Sequence, residues 1–306
     1  MNGMVAGARK RVNRIHRREI AAGYLFLLPS ALGFFVFIGY PILYGFYLSF
    51  TNGDGFNTPG WIGLTNYARM LKDPLVMRSL MNNVKYALTY VPGIIALSLL
   101  VSVLIYNGIK GAKFFKTVLF FPYITSSIAI STIWKQMMQP DKGMINNFLR
   151  ALGVANPPSW FAATNTALYS VVIVAIWAGF GFNMVIFLAG LQGIPRELYE
   201  AGELDGTNRW QAFAHITFPM LSPTIFFLTC MSVISSFKVF DFIFQLTQGG
   251  PGNATTVLVY RIYYEGIVNM RFGYASAIAY LLFVLILALT LLQFYLQKKW
   301  VYYSED

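Results

Sequence analysis

The chain has 306 residues, 57% of them apolar or aromatic and only 11% charged. Soluble proteins carry about 25% charged residues and need them to cover their exterior, so this composition excludes a pair of soluble domains and makes lipid the solvent for much of the chain. The formal charge of +11 would fit nucleic acid only if the basic residues clustered on a polar domain; here they fall between apolar runs. One cysteine, Cys230, and two distant histidines, His16 and His215, leave no intrachain disulfide, CxxC or HExxH. No GxxxxGKS/T phosphate loop occurs either.

A helix needs about 20 apolar residues to cross ~30 Å of hydrocarbon. In chain order, six stretches are predicted to do so: Ala21–Phe50, Leu80–Tyr106, Thr117–Met138, Ala167–Leu191, Pro223–Phe242 and Tyr274–Leu296. The fifth is the weakest, interrupted by Ser232, Ser235, Ser236 and Lys238. The connections 51–79, 139–166 and 243–273 are long, whereas 107–116 is short and basic and 193–222 carries four acids, Glu197, Glu200, Glu203 and Asp205. Lys and Arg outside the spans divide thirteen to seven, with the tail 1–18, loops 107–116 and 193–222 and the C-terminal tail on the richer side. The positive-inside rule then predicts both termini in the cytoplasm, as an even number of spans requires. The apolar run after the basic start is too long for a cleaved signal peptide. The expected organisation is a basic tail over 1–18, a six-helix domain over 19–297 and a short cytoplasmic tail over 298–306.

Segment 193–222 is more than a connector. Pro195 suits the first turn of a helix, Glu197, Glu200 and Glu203 recur every three residues as an acidic stripe, and Gly206 suits a left-handed cap. Trp210, Phe213, Ile216 and Phe218 then form an apolar face before Pro219. The predicted picture is an acidic helix, a turn and an aromatic helix, shaped to dock into a partner; a solvated loop without a partner accounts for the acidic pattern equally well.

Glu200-Ala201-Gly202, Gly206, Ile216 and Pro219 resemble the EAA loop of ABC importer permeases, which runs E-A-A, three residues, G, nine residues, I-x-L-P. Gly202 stands where Ala is usual and Phe218 where Leu is usual. Leu204-Asp205-Gly206 with Trp210-Gln211, the stretch Thr247-Gln248-Gly249-Gly250-Pro251-Gly252-Asn253-Ala254-Thr255 after Phe240-Asp241, and Leu28-Pro29 with Tyr40-Pro41 are similar to the carbohydrate-uptake branch. The resemblance implies an all-α membrane permease of the type I importer fold in a bacterial cytoplasmic membrane. It implies coupling residues Glu197, Glu200, Ala201, Gly202, Glu203, Asp205 and Gly206. It also implies a second permease subunit, two ATPase subunits that hold ATP and Mg, and an external sugar-binding protein, with no cofactor in this chain.

Polar groups inside spans are costly and face cavities or neighbouring helices. Tyr123, Thr125, Ser126, Ser127, Asn183, Ser232, Ser235, Ser236 and Asp241 are candidates for a pathway, and hydroxyls, an amide and aromatic faces suit a sugar. The resemblance adds Gly179, Phe182 and Val239 and repeats Ser232 and Ser236. Each serine is also a candidate for simple helix packing, the reading preferred for Ser98 and Ser102, and Lys238 is expected to pair with Asp241. The competing functions are an ion-coupled secondary transporter, which calls for carboxylates near mid-bilayer, and an intramembrane enzyme, which calls for a metal cluster or a Ser/His pair absent from these spans.

Overall fold

The computed structural model describes Ile20 and residues 22–302. The basic tail expected over 1–18 and the last four residues lie outside the described residues, as does Ala21 at the start of the first span. Among the described residues no β-strand forms, and the single backbone bridge joins Thr51 to Trp61.

Helix α1, Ala22–Ser49, is apolar all round and has none of its most apolar window buried. A π turn at Phe35–Gly39 precedes Pro41, the expected kind of irregularity next to a residue with no N–H. Helix α2, Thr65–Lys72, lies in the first long connection. Helix α3, Pro74–Tyr106, starts six residues before the predicted second span because the Asp73 carboxylate accepts the Leu75 N–H and Pro74 takes the first turn.

The third predicted span is not one helix. Helix α4, Ala112–Ile124, and helix α5, Ser127–Met137, meet at a 100° bend. Thr125 and Ser126 are extended there, three and four residues past Pro122; the proline removes one ladder bond, and Ser is a natural start for the next helix. Helix α6, Met144–Ala151, follows in the connection. Helix α7, Ala167–Gln192, matches the fourth predicted span within one residue. Its most apolar window is 61% buried, against 28% for α3. A helix apolar on every side belongs at the centre.

Helix α8, Arg196–Leu204, and helix α9, Arg209–Met220, form the expected helix–turn–helix. Pro195 sits one position before the predicted first turn, with extended backbone, as the cap residue. Helix α10, Ser222–Phe237, is bent 64° from α9. It stops five residues short of the end of the fifth predicted span; after Lys238, Val239 and Phe240, the separate helix α11, Asp241–Leu246, begins. Helix α12, Leu258–Tyr263, continues through a π turn at Tyr264–Val268, and helix α13, Phe272–Gln297, is the sixth predicted span with two extra residues in front.

α3 and α7 run parallel and are joined by small polar groups. Ser98 donates to the Phe180 carbonyl and Ser102 to the Met184 carbonyl, each at 3.0 Å. This is the packing role read from the sequence for these serines. The Tyr280 hydroxyl of α13 donates to the Ile42 carbonyl, holding α1 against the last helix. Asn82 of α3 donates to the Thr256 carbonyl at 2.9 Å, and Asn83 accepts the Leu258 N–H at 2.8 Å. These two buried amides fasten the glycine-rich turn after α11 to the bundle.

Candidate functional site

A cavity of ≈ 310 Å³ lies where α3, α4, α5, α7, α10 and α11 converge. Both helix breaks open onto it: Thr125 and Ser127 line it from the α4/α5 bend, and Lys238, Val239, Phe240 and Asp241 from the α10/α11 gap. Irregular backbone at membrane depth has unmade hydrogen bonds, so it survives where it lines a cavity or is buried in protein. The wall opposite is aromatic. Tyr86 and Tyr90 stack with ring centres 5.4 Å apart, and Tyr123 stacks on Phe182 at 4.7 Å.

Of the predicted pathway residues, Tyr123, Thr125, Ser127, Gly179, Ser235, Val239 and Asp241 line this cavity together. Phe182 is reached through its stack with Tyr123. Ser232, Ser236 and Asn183 do not line it: all three are buried, and the Ser236 hydroxyl donates to the Val233 carbonyl at 2.7 Å. The amide nitrogen of Asn183 has no hydrogen-bond partner. The expected Lys238–Asp241 pair does not form; among the described residues no ion pair joins them, and both face the cavity from the ends of different helices. A lysine at a helix C-terminus and an aspartate at a helix N-terminus are each favoured by the helix ends themselves. Tyr86 and Tyr90 were not predicted. Their signal is the i,i+4 spacing of two phenols inside an apolar run, which otherwise reads as interface anchoring.

Segment 193–222 forms the second candidate surface. Glu197, Glu200, Ala201, Glu203, Asp205 and Gly206 are exposed, and Gly202 alone among the predicted coupling residues is buried. Gly206 has φ +77°, the left-handed cap expected from its position. Asn208 and Gln211 close a reciprocal capping box at the start of α9. The two helices are held to the bundle beneath. The Tyr199 and Thr217 hydroxyls are 2.9 Å apart, and Tyr199 and Ile216 pack against the cluster of Phe187, Leu191, Leu221 and Leu228. Burial pushes the Tyr199 phenol above its ordinary pKa despite the bond to Thr217, which lowers it; the hydroxyl stays protonated.

Gly202 explains the close approach of α8 to α9. A Cβ there would lie 2.9 Å from the Thr207 hydroxyl and 3.1 Å from the tip of Ile216. Both are ends of side chains that can give way. Gly202→Ala is therefore expected to keep stability within about 0.5 kcal/mol of the parent. Gly202→Val adds two further methyl groups at the same contact and is expected to cost about 1–3 kcal/mol. Thermal unfolding of the purified protein checks both, and equal loss in the two variants would exclude this packing account.

Residues 75–302 match the family described as the binding-protein-dependent transport system inner membrane component. The chain belongs to this family. It is 35% identical to the probable ABC transporter permease protein YesP of Bacillus subtilis, covering 100% of this chain and 99% of that one. It is 34% identical to the lactose transport system permease protein LacF of Rhizobium radiobacter, covering 90% and 94%. A crystal structure of a bacterial ABC transporter involved in the import of the acidic polysaccharide alginate superposes with a TM-score of 0.79 at 24% identity, covering 94% of this chain and 99% of that chain. The nearly all-helical architecture is thus that of an ABC importer permease.

Proposed function

We propose that this permease forms half of the pathway of an ATP-driven, binding-protein-dependent importer of a disaccharide or oligosaccharide in the bacterial cytoplasmic membrane. Its termini and segment 193–222 face the cytoplasm. The observation that carries the reading is the acidic face of α8, exposed and ended by left-handed Gly206, on a helix pair bonded to the bundle through Tyr199 and Thr217. Glu197, Glu200 and Glu203 with Asp205 present charge to an ATPase subunit, and Ala201 and Gly202 let α8 lie close to its neighbours. Movement of that subunit on binding ATP and Mg is carried by a rigid lever into α7 and α10. A second permease, two ATPase subunits and an external sugar-binding protein complete the assembly.

In the cavity, the phenols of Tyr86, Tyr90 and Tyr123 offer apolar faces and hydroxyls to a sugar, and Ser235 and the broken helix ends add donors and acceptors. Similarity to lactose permease LacF supports the sugar class.

Reconstitution in vesicles with the partner subunits tests the reading: uptake is expected to require ATP and to be blocked by vanadate. Uptake driven by an ion gradient alone rejects it. Gly206→Val forces a β-branched residue to φ +77°, costing about 1–2 kcal/mol. It is expected to lower uptake roughly ten-fold with membrane abundance unchanged, as is Glu200→Gln. An abundance loss equal to the uptake loss contradicts the coupling role.

A further inference from the structure

A groove of ≈ 550 Å³ runs along α3 at the end of the bundle that carries segment 193–222. Ala96, Leu99, Leu100 and Val103 form its apolar floor, and Arg209, Trp210 and Phe213 of α9 stand at its mouth beside Asn107. Ala96 and Asn107 are eleven residues apart, about 16 Å along a helix. That is half of a ~30 Å hydrocarbon core. The groove is therefore one leaflet deep, with a cation and an indole at the level of the headgroups.

Arg209 is exposed and in no ion pair among the described residues. Glu203 lines the adjoining cavity with Arg209, yet the two form no salt bridge. Trp210 is 73% exposed and stacks on Phe213 at 5.8 Å. The loop after α3 adds Lys110, and the start of α4 adds Lys113 and Lys116, close behind it in the chain. An unpaired guanidinium above an apolar slot complements a phosphate carried on an acyl chain. A water-soluble ATPase would have to enter the hydrocarbon to reach the slot below Val103, because the apolar span of α3 runs on to Tyr106.

We propose that this groove binds an anionic phospholipid, with an acyl chain against Leu99, Leu100 and Val103 and the headgroup phosphate on Arg209. The lipid would brace the helix pair that carries the coupling face. The proposed orientation enters only in assigning the site to the cytoplasmic leaflet.

The test uses the full-length chain assembled with its partner subunits in nanodiscs. Quenching of Trp210, taken as the difference between the parent and Trp210→Phe, is measured with brominated phosphatidylglycerol and with brominated phosphatidylcholine. Half-quenching is expected at a mole fraction about five-fold lower for phosphatidylglycerol, the preference one basic residue confers at an anionic surface. Arg209→Gln should abolish the preference and Arg209→Lys should keep most of it. Ala96→Phe, which fills the slot without touching the charge, should weaken quenching by both lipids. Equal half-quenching by the two lipids overturns the proposal, as does a preference that survives Arg209→Gln. Quenching seen with the permease pair alone but lost when ATPase subunits are added assigns the surface to the ATPase instead. None of these outcomes alters the ATP requirement of uptake, so the site fails or stands separately from the transport function.

Discussion

Gly181→Ala is expected to remove most folded permease from the membrane, whereas Gly179→Ala, two residues earlier on the same helix, is expected to be mild. A Cβ at Gly181 would lie 2.1 Å from the Leu119 carbonyl oxygen and 2.9 Å from both the Leu119 carbonyl carbon and Phe120 Cα. All three are backbone atoms of α4, so no rotamer change relieves the clash and the helix itself has to move. Small residues let membrane helices approach closely where no hydrophobic force drives them together, and α4 uses that approach to carry Tyr123 onto Phe182 and into the cavity wall. At Gly179 the nearest atoms are the Ile94 tip at 3.1 Å and the Tyr90 hydroxyl at 3.2 Å, which can shift. Overpacking of this kind costs about 1–3 kcal/mol, with Gly181→Ala at the upper end, and lowers the melting temperature by roughly 3–10 °C. Thermal unfolding of the purified complex and sugar uptake read the two variants. A Gly181→Ala protein that melts like the parent would show that α4 does not rest on α7 in this way.

Where the apolar pattern alone sets the structure, the sequence is a good guide: the fourth and sixth spans are recovered to within two residues at each end. Ser98 and Ser102 were legible because small polar residues a turn apart in an apolar run have few uses besides packing. The misread spans are the third and the fifth, and both errors have one cause. Hydropathy runs smoothly through Thr125-Ser126 and through Lys238-Val239-Phe240, but the backbone breaks there. A broken helix in lipid is stable only when a cavity or surrounding protein satisfies its ends, so the breaks coincide with the cavity that sequence periodicity does not contain. Of the resemblance-based positions, Gly179 and Val239 line one space together with Tyr123 and Ser235, which were read from their polar groups. Ser232 and Ser236 lie behind its wall, because the helical phase around a bent span cannot be fixed from its ends; Asn183, on the unbroken α7, is buried away from it as well. Segment 193–222 was read most fully, since caps and turns are local: Gly206 and the acidic spacing need no tertiary information. The ionic cluster beneath α12 shows the opposite case. Arg261 and Glu265 are four apart, but their third partner, Asp73, is 188 residues away from Arg261.

Arg261→Met is expected to destabilise the permease more than any surface substitution, by about 3–5 kcal/mol. Glu265 is 1% exposed, and Arg261 binds it at 2.6 Å while reaching Asp73 at 3.4 Å. The Tyr274 hydroxyl donates to the same Asp73 oxygen at 2.8 Å, and Arg69 stands 4.4 Å over the Tyr274 ring. The cluster ties α3, α12 and α13 together at the other end of the bundle from segment 193–222. Without Arg261, Glu265 retains only Arg271 at 3.4 Å and Asn269 at 3.2 Å, too little for a carboxylate cut off from water. The melting temperature should fall by roughly 5–15 °C. Removing the stranded charge as well, in Arg261→Met with Glu265→Gln, should recover more than half of the loss, because the cost lies in the unpaired charge and not in the missing attraction. Asp73 adds a pH dependence of known sign. Burial raises its pKa, but the Tyr274 hydroxyl, the Leu75 amide and Arg261 together hold it below the ordinary 3.8. A depressed folded pKa contributes stability that is complete above the ordinary value and is lost as the pH falls through the lowered one, so this contribution is intact at neutral pH and disappears only in strong acid. In Arg261→Met the Asp73 pKa moves back up, and acid unfolding should begin at higher pH than in the parent. A double variant that melts no higher than Arg261→Met, with unchanged acid sensitivity, would mean that the cluster holds its three helices by shape alone.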